Sequence, residues 1–405
     1  MELTLVGGEN FINYYKNNVN EASNNSDAQI NEKYSKGEIR IITEQARYPL
    51  DSITSMLESG KYNLNPEYQR RKRWSVVQQS KLIESFIINV PIPPVFLYEV
   101  EYANYEVMDG LQRLTAISDF YNNKFALTGL EEWKELNGRT YSELPKNVKE
   151  GVDRRYLSSI VLLNETAKDK EIAESLKQMV FGRLNSGGDK LTAQETRNAL
   201  YAGKFNDFCI DLSKNTTFRT LWNYILYKYD NGELTNEEEL LTSQTFREME
   251  DVEMILRFFA YRHIVQLSNF KSQEQFLDNY IQTANEYDQK VLEELRVIFT
   301  ETMSLVYNIF GESALYMPDA TQKKNTPTKT IYDSMMQSFS KFIGQKALLE
   351  KKADILRASK YRDLDKIIYY SKGKQINLFD GKYNSRNNVE SRIKYFDNLI
   401  LDAIK

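Results

Sequence analysis

The chain has 405 residues, of which 41% are hydrophobic and 27% charged. It is too long for one ordinary core and too apolar for a disordered or fibrous class, so two domains are expected. A formal charge of -4 and a pI near 5.5 exclude a protein whose whole surface is a nucleic-acid footprint and leave room only for local contacts. The single cysteine, Cys209, excludes an intrachain disulfide and a thiolate-rich metal site. The single histidine, His263, argues against His-metal nucleases, zinc hydrolases and Ser-His-Asp triads. Both read as structural residues, Cys209 as a small buried hydrophobe and His263 as a core residue of an apolar helical stretch. Chemistry therefore has to come from Arg, Lys, Asp, Glu, Gln and Tyr.

The start, Met1-Glu2-Leu3-Thr4, lacks the basic and then apolar layout of a signal peptide, and no run approaches the roughly 18 apolar residues of a membrane span. A cytoplasmic, unanchored protein is expected. Residues 1–45 are polar, rich in Asn between Asn17 and Asn31, and read as an extension without chemistry. Leu50, Ile53, Met56 and Leu57 then share a helical face that stops before Gly60, and a short strand over Tyr62 to Leu64 follows. Asn65-Pro66 marks a turn presenting Glu67-Tyr68-Gln69-Arg70. Ser75 caps a helix with Leu82, Ile83, Phe86 and Ile87 inward, ending near Asn89. Val90-Pro91-Ile92-Pro93-Pro94 must be extended and leads into a strand over Val95 to Tyr98, which pairs with a second over Tyr105 to Met108.

Asp109-Gly110 ends that second strand, and Leu111, Leu114, Ile117 and Phe120 recur at helical spacing directly after it. A further strand is expected over Ser158 to Leu163 and an amphipathic helix around Ile172, Leu176, Met179 and Val180. The latter runs into the glycine turn Arg183-Leu184-Asn185-Ser186-Gly187-Gly188. Thr192-Ala193-Gln194-Glu195 has capping-box spacing for a helix that should end at Gly203. Beyond about Lys204 strands become scarce, while Val252, Ile255, Leu256 and Phe259, and then Leu292, Leu295, Ile298 and Phe299, repeat at three and four. The expected organisation is an extension (1–45), a domain of strands and helices (46–205) and a helical domain (206–405), the last with basic loops around Lys323-Lys324 and Arg386.

Two segments could carry chemistry. Arg70-Arg71-Lys72-Arg73-Trp74 sets four cations before an aromatic ring, able to pair DNA phosphates and stack a base, although charge runs are also commonly just solvated. The strand, Asp-Gly and helix sequence around Asp109 presents backbone N–H groups and the positive end of a helix dipole to one point. There Arg113 adds a fork suited to phosphate, Gln112 could orient a water or a phosphate oxygen, Asp109 could hold Mg²⁺ or accept a proton, and Gly110 permits close backbone approach. Spacing alone equally allows that Asp109 merely caps the helix and Arg113 pairs with a neighbouring carboxylate.

Four blocks in order resemble the amino-terminal domain of the GmrSD-type modification-dependent restriction enzymes, within the ParB/sulfiredoxin-like superfamily. They are Asn65-Pro66-Glu67-Tyr68-Gln69-Arg70 with Trp74, Pro91-Ile92-Pro93-Pro94-Val95-Phe96-Leu97, Val107-Met108-Asp109-Gly110-Leu111-Gln112-Arg113-Leu114-Thr115, and Phe181-Gly182-Arg183-Leu184-Asn185-Ser186-Gly187-Gly188 before Leu191-Thr192 and Glu195-Thr196-Arg197-Asn198. The resemblance spans roughly Leu50 to Tyr201. It implies an α+β protein, in which a ParB/sulfiredoxin-like domain with a small mixed sheet is followed by an all-α domain. It also implies nucleoside triphosphate binding with Mg²⁺, the base unknown, in a bacterial DNA-restriction or anti-phage system. On that resemblance Asp109, Gln112 and Arg113 become candidate catalytic residues, and Gly110, Arg113, Tyr68, Gln69, Arg70, Asn185, Ser186, Gly187 and Arg197 candidate nucleotide ligands. Leu111 replaces the first glutamine of the family's Asp-Gly-Gln-Gln-Arg motif, which makes binding better supported than hydrolysis. The HNH-like nuclease domain of the full-length enzymes needs histidines that a chain with only His263 cannot supply, so any cleavage is expected from a separate nuclease subunit. A non-enzymatic DNA-binding or antitoxin-like module remains the alternative, with an autonomous nicking nuclease behind it.

Overall fold

In the computed structural model of the chain the described residues are 3–11, 26–36, 41–64, 71, 74–163, 170–184, 191–267, 272–317, 326–360, 368–371, 374–379 and 385–405. They form two units, one of Glu21–Leu200 and one of Met1–Asn20 with Tyr201–Lys405. In the first, strands β1 (Thr43–Pro49), β2 (Tyr62–Asn63), β3 (Val95–Glu101), β4 (Asn104–Asp109) and β5 (Tyr156–Leu162) make one mixed sheet in the order β1-β5-β3-β4-β2. β3 runs antiparallel to β4 and parallel to β5. The helices of this unit are α1 (Asp27–Lys36), α2 (Ile53–Glu58), α3 (Val76–Ile87), α4 (Leu111–Tyr121), α5 (Lys146–Asp153), α6 (Lys170–Leu184) and α7 (Ala193–Leu200). The fold class is thus α+β, with a five-stranded mixed sheet.

Alternation along β3 divides the sheet faces. Val95 and Leu97 are fully buried while Phe96 and Tyr98 are only partly so. The Val95 face packs on Leu82, Phe86, Leu114, Ile117 and Leu157, with Val107 and Trp74 against the same cluster. On the opposite face Lys177 of α6 reaches Glu106 of β4 at 2.5 Å and lies 5.5 Å from the centroid of the Tyr98 ring. Helix α3 begins as expected at Ser75, whose hydroxyl accepts from the Gln78 N–H in a reciprocal capping box. Its buried Glu84 does a second job, accepting from the backbone N–H groups of Glu131, Glu132 and Trp133 at 3.3, 2.8 and 2.9 Å. These bonds hold the 124–145 segment over a second cluster of Ile83, Phe120, Leu127 and Leu130.

The second unit is helical: α8 (Lys204–Leu212), α9 (Thr216–Leu221), α10 (Glu237–Thr242), α11 (Gln244–Arg247), α12 (Glu250–Tyr261), α13 (Gln273–Ala284), α14 (Gln289–Phe310), α15 (Lys329–Ser340), α16 (Lys346–Lys351), α17 (Ala353–Ser359) and α18 (Arg386–Ile404). Two short hairpins interrupt it, β6 (Tyr229–Asp230) with β7 (Glu233–Leu234) and β8 (Ile368–Ser371) with β9 (Lys374–Asn377). Asn231 and Gly232 both have positive φ, as a two-residue hairpin turn requires. The expected helix end at Gly203 is corrected: α7 stops at Leu200, and Gly203 instead precedes α8. The Asn285 side chain occupies the space a Cβ of Gly203 would need, 2.6 Å away. From there it accepts from the N–H groups of Phe205 and Asn206 and donates to the Tyr201 carbonyl. Of the basic loops, Lys323 and Lys324 lie outside the described residues, and Arg386 is the first residue of α18.

Residues 3–11, read as part of an extension, are packed into the helical unit. Phe11 is 1% exposed and meets His263, Phe276 and Tyr280 edge to face or nearly so. The buried Glu9 carboxylate accepts from Arg262 at 2.8 and 3.0 Å and lies 3.1 Å from Nε2 of the fully buried His263. Cys209 is buried, and burial pushes its thiol up. Both single residues are structural, as the composition suggested.

Desolvation raises the Glu9 pKa, but hydrogen bonds from His263 and Arg262 outweigh it and hold the carboxyl at about 2, against 4.5 in the unfolded chain. A depressed carboxyl pKa contributes stability that is fully present above pH 4.5 and is lost as pH falls toward 2. The contribution is about 3 kcal/mol, from 1.36 kcal/mol per pKa unit. Glu9→Gln is expected to be less stable than the parent at pH 7 in urea unfolding and to lose less further stability between pH 5 and 2. A parallel fall in both proteins would remove Glu9 from the acid response.

Candidate functional site

The site is built on the junction of β4 and α4. Asp109 is the last residue of β4, in register with Phe96 of β3. Gly110 follows with φ of 94° and ψ of 12° and stands at the N-cap of α4, where it supplies no side-chain cap. A Cβ at Gly110 would fall 2.3 Å from Cγ1 of Val95 and 2.9 Å from its Cβ. Glycine is thus required twice, by a left-handed backbone and by the approach of a fully buried core valine. The next residues, Leu111, Gln112 and Arg113, make the first turn of the helix, whose N–H groups point along the positive end of the dipole.

Arg113 folds back on this turn. Its Nη1 donates to the Pro93 carbonyl and, at 3.3 Å, to that of Pro94, and its Nη2 donates to Asp109 at 2.7 Å. The arginine side chain is 12% exposed and the Asp109 side chain 53%. Gln112 also binds inward, its Oε1 accepting from the Trp74 N–H at 3.0 Å. Asp109, Gly110, Gln112 and Arg113 are therefore gathered in one turn, together with Trp74, which the sequence marks as a base-stacking candidate, and the Pro93 and Pro94 carbonyls, to which the sequence gives no role. The pairing of Arg113 with a neighbouring carboxylate, one of the two readings of this spacing, is the arrangement observed.

The remaining candidates fare differently. Tyr68, Gln69, Arg70, Lys72, Arg73, Asn185, Ser186 and Gly187 lie outside the described residues. Arg71 is 1% exposed, so the expectation that it faces DNA phosphates is corrected: its guanidinium is inside the protein. Trp74 packs partly buried against the core of the sheet unit. Arg197 is also internal, 2% exposed on α7, with Nη1 3.4 Å from the Gln194 oxygen and with Gln194, Glu195 and Asn198 buried beside it. Thr192 and Glu195 form the expected reciprocal cap at 2.7 and 3.2 Å. The buried Lys177 and Glu106 pair was missed, although Glu106 interrupts an apolar strand on the face opposite Val107.

A mixed sheet whose strand β4 passes through a left-handed glycine into a helix without a side-chain cap places this domain in the α+β class. Residues 53–202 match the family of the GmrSD restriction endonuclease, N-terminal domain, and the chain carries that domain. No curated protein and no solved structure significantly matches the chain. Among the described residues no helix is long and apolar enough to cross a membrane.

Gly110→Ala must meet both the left-handed backbone and Val95. The expected loss is about 2–4 kcal/mol, summing roughly 1–2 for the backbone with an overpacking cost. Chemical denaturation of the variant in wild-type and Val95→Ala backgrounds should show the steric part relieved in the second. Equal losses in both would leave only the backbone contribution.

Proposed function

We propose that the chain is a nucleotide-binding component of a bacterial DNA-restriction system, a sensor or regulatory subunit that acts with a separate nuclease. The observation that carries this reading is the uncapped first turn of α4, with Gly110 at its N-cap and the Arg113 guanidinium beside it. Such a turn offers backbone N–H groups and a planar cation to one phosphate. The Arg113 bonds engage Nη1 and part of Nη2, so Nε–H and a second Nη2 hydrogen are left for a ligand among the described residues. Asp109, more than half exposed, would contribute one carboxylate to Mg²⁺, with the phosphates supplying other oxygens.

Binding is better supported than turnover. Gln112, the residue that could orient water, is committed through Oε1 to the Trp74 backbone, and Leu111 brings no polar atom to the turn. These two positions favour the second reading, a non-enzymatic DNA-binding or antitoxin-like module without turnover. With Arg71 internal, DNA contact by the basic run would fall to Arg70, Lys72 and Arg73.

Titration of the purified chain with GTP, ATP and CTP in the presence of Mg²⁺ should reveal binding to at least one of them. Arg113→Lys, which keeps the charge but not the fork, should weaken it at least tenfold, and Arg113→Ala should abolish it. Absence of binding to all three overturns the proposal, and phosphate release with and without DNA separates the two readings. Replacing Arg70, Lys72 and Arg73 by Ala should lower the salt slope of DNA binding by about one per lost phosphate contact. An unchanged slope would clear those residues.

A further inference from the structure

One face of the five-stranded sheet is only partly covered. Leu157 of β5 and Val95 of β3 point into the main core, so alternation and register turn Tyr156, Ser158, Ile160, Phe96, Gln45 and Arg47 to the opposite side. There α6 covers the β4 end, where Lys177 holds Glu106 at 2.5 Å. Over β1 and β5 the face is open. Tyr156 is 57% exposed, Gln45, Arg47 and Ser158 are exposed, and Phe96 and Ile160 are half-buried.

The order of groups on this surface follows from the register. Arg47 stands beside Ser158, which is two residues from Tyr156 in one direction and two from Ile160 in the other, and Ile160 stands beside Phe96. At about 3.3 Å per residue the Arg47 row lies about 7 Å from each ring row, so a cation separates two aromatic rings. Among the described residues Arg47 makes no ion pair or hydrogen bond, and neither does the side chain of Tyr156, Gln45 or Ser158. Arg154, exposed and equally unpaired among those residues, precedes Tyr156 by two positions. The carboxylates around the face are engaged or turned away. Asp109, in register with Phe96, is held by Arg113, and Glu106 by Lys177, while Glu44 and Glu99 alternate to the core side.

We propose that this open face binds single-stranded DNA, with bases stacked on Tyr156 and Phe96 and the phosphate between them on Arg47. The alternation of ring, cation and ring is that of base, phosphate and base, and Gln45 and Ser158 offer hydrogen bonds to base edges. In a chain of net charge -4, a face with an unpaired arginine and, among the described residues, no unpaired carboxylate selects an anion. A second copy of the same face would bring Arg47 no carboxylate, and an uncharged partner would bury the guanidinium without one. The choice of DNA rests on the restriction-system reading but not on nucleotide binding at the Asp109 to Arg113 turn.

The test is fluorescence anisotropy of a labelled oligothymidylate of about 12 nucleotides, which forms no duplex, titrated with the full chain. It should bind with a Kd below about 100 μM, the weak limit of non-specific nucleic-acid binding. Tyr156→Ala should weaken it by about fivefold or more, the effect of one lost base stack, whereas Tyr156→Phe keeps the ring and should bind as the parent does. Any binding of a duplex of the same length should be unchanged in Tyr156→Ala, because paired bases offer no free ring face. Arg47→Ala, an independent variant at an exposed edge, should weaken binding and lower the salt slope by about 0.7. No binding up to about 100 μM, unchanged affinity in both alanine variants, or an equal loss in Tyr156→Phe overturns the proposal. Binding that survives both variants but falls when Arg70, Lys72 and Arg73 are replaced overturns it while leaving the restriction-system reading in place. A dimer in solution that Tyr156→Ala dissociates gives the face to a second copy and overturns it as well.

Discussion

The sheet unit is organised around the contact between Gly110 and Val95. Val95 is fully buried in the main core and begins β3, while Gly110 directly follows the antiparallel partner strand β4. Because no side chain stands at position 110, the chain can turn through a left-handed conformation against the valine and enter α4 without a linker. This fixes the direction of α4, whose Leu114, Ile117 and Phe120 are fully buried behind the turn. The same absence of a side chain leaves the first helical turn uncapped. Core packing and the absence of a side-chain cap at the start of α4 therefore have one cause.

Arg113 carries both roles into one side chain. Pro93 and Pro94 precede β3 instead of pairing in its ladder, and the guanidinium supplies donors to their carbonyls. Asp109 completes the arrangement from the strand end. An arginine held by two carbonyls and a carboxylate has little rotamer freedom left to lose, which lowers the entropic cost of meeting a phosphate. It also means that Arg113→Ala removes a structural tie along with the guanidinium. The Arg113→Lys comparison addresses this, because lysine cannot present the planar fork yet keeps a cation in the turn.

Features with a local cause were legible in the sequence. Ser75 with Gln78 predicts the start of α3, the proline run forces an extended entry to β3, and Thr192 with Glu195 predicts the start of α7. β1 gave little signal, because Glu44, Gln45 and Arg47 place polar residues through an edge strand that is largely exposed. The β6 and β7 hairpin was passed over although Asn231-Gly232 announces it, since strands of two residues have no periodicity to read. In the site, the turn was readable from Asp109 to Arg113, but its internal bonds were not, because Pro93 lies 20 residues from Arg113. Arg71 reads as a surface cation of a basic run, and Arg197 enters only by the resemblance as a phosphate ligand; tertiary packing buries both. The Glu9 partnership with Arg262 spans 253 residues and leaves no local trace.

The boundaries of the matched domain and of the folded units differ in a way that bears on experiment. The family match begins at residue 53, after β1, yet β1 pairs along its whole length with β5 from Thr43 opposite Leu162 to Pro49 opposite Tyr156. A fragment cut at residue 53 would present β5 as a bare edge, with the N–H and C=O groups that met β1 unpaired and open to association with another chain. A cut after residue 20 has a different cost. It would remove Glu9 from Arg262 and His263 and leave a guanidinium that is 2% exposed without its carboxylate, a loss of several kcal/mol for a buried pair. The first residues of the chain thus belong energetically to its helical unit, and the Asp109 to Arg113 turn is best studied in the intact protein.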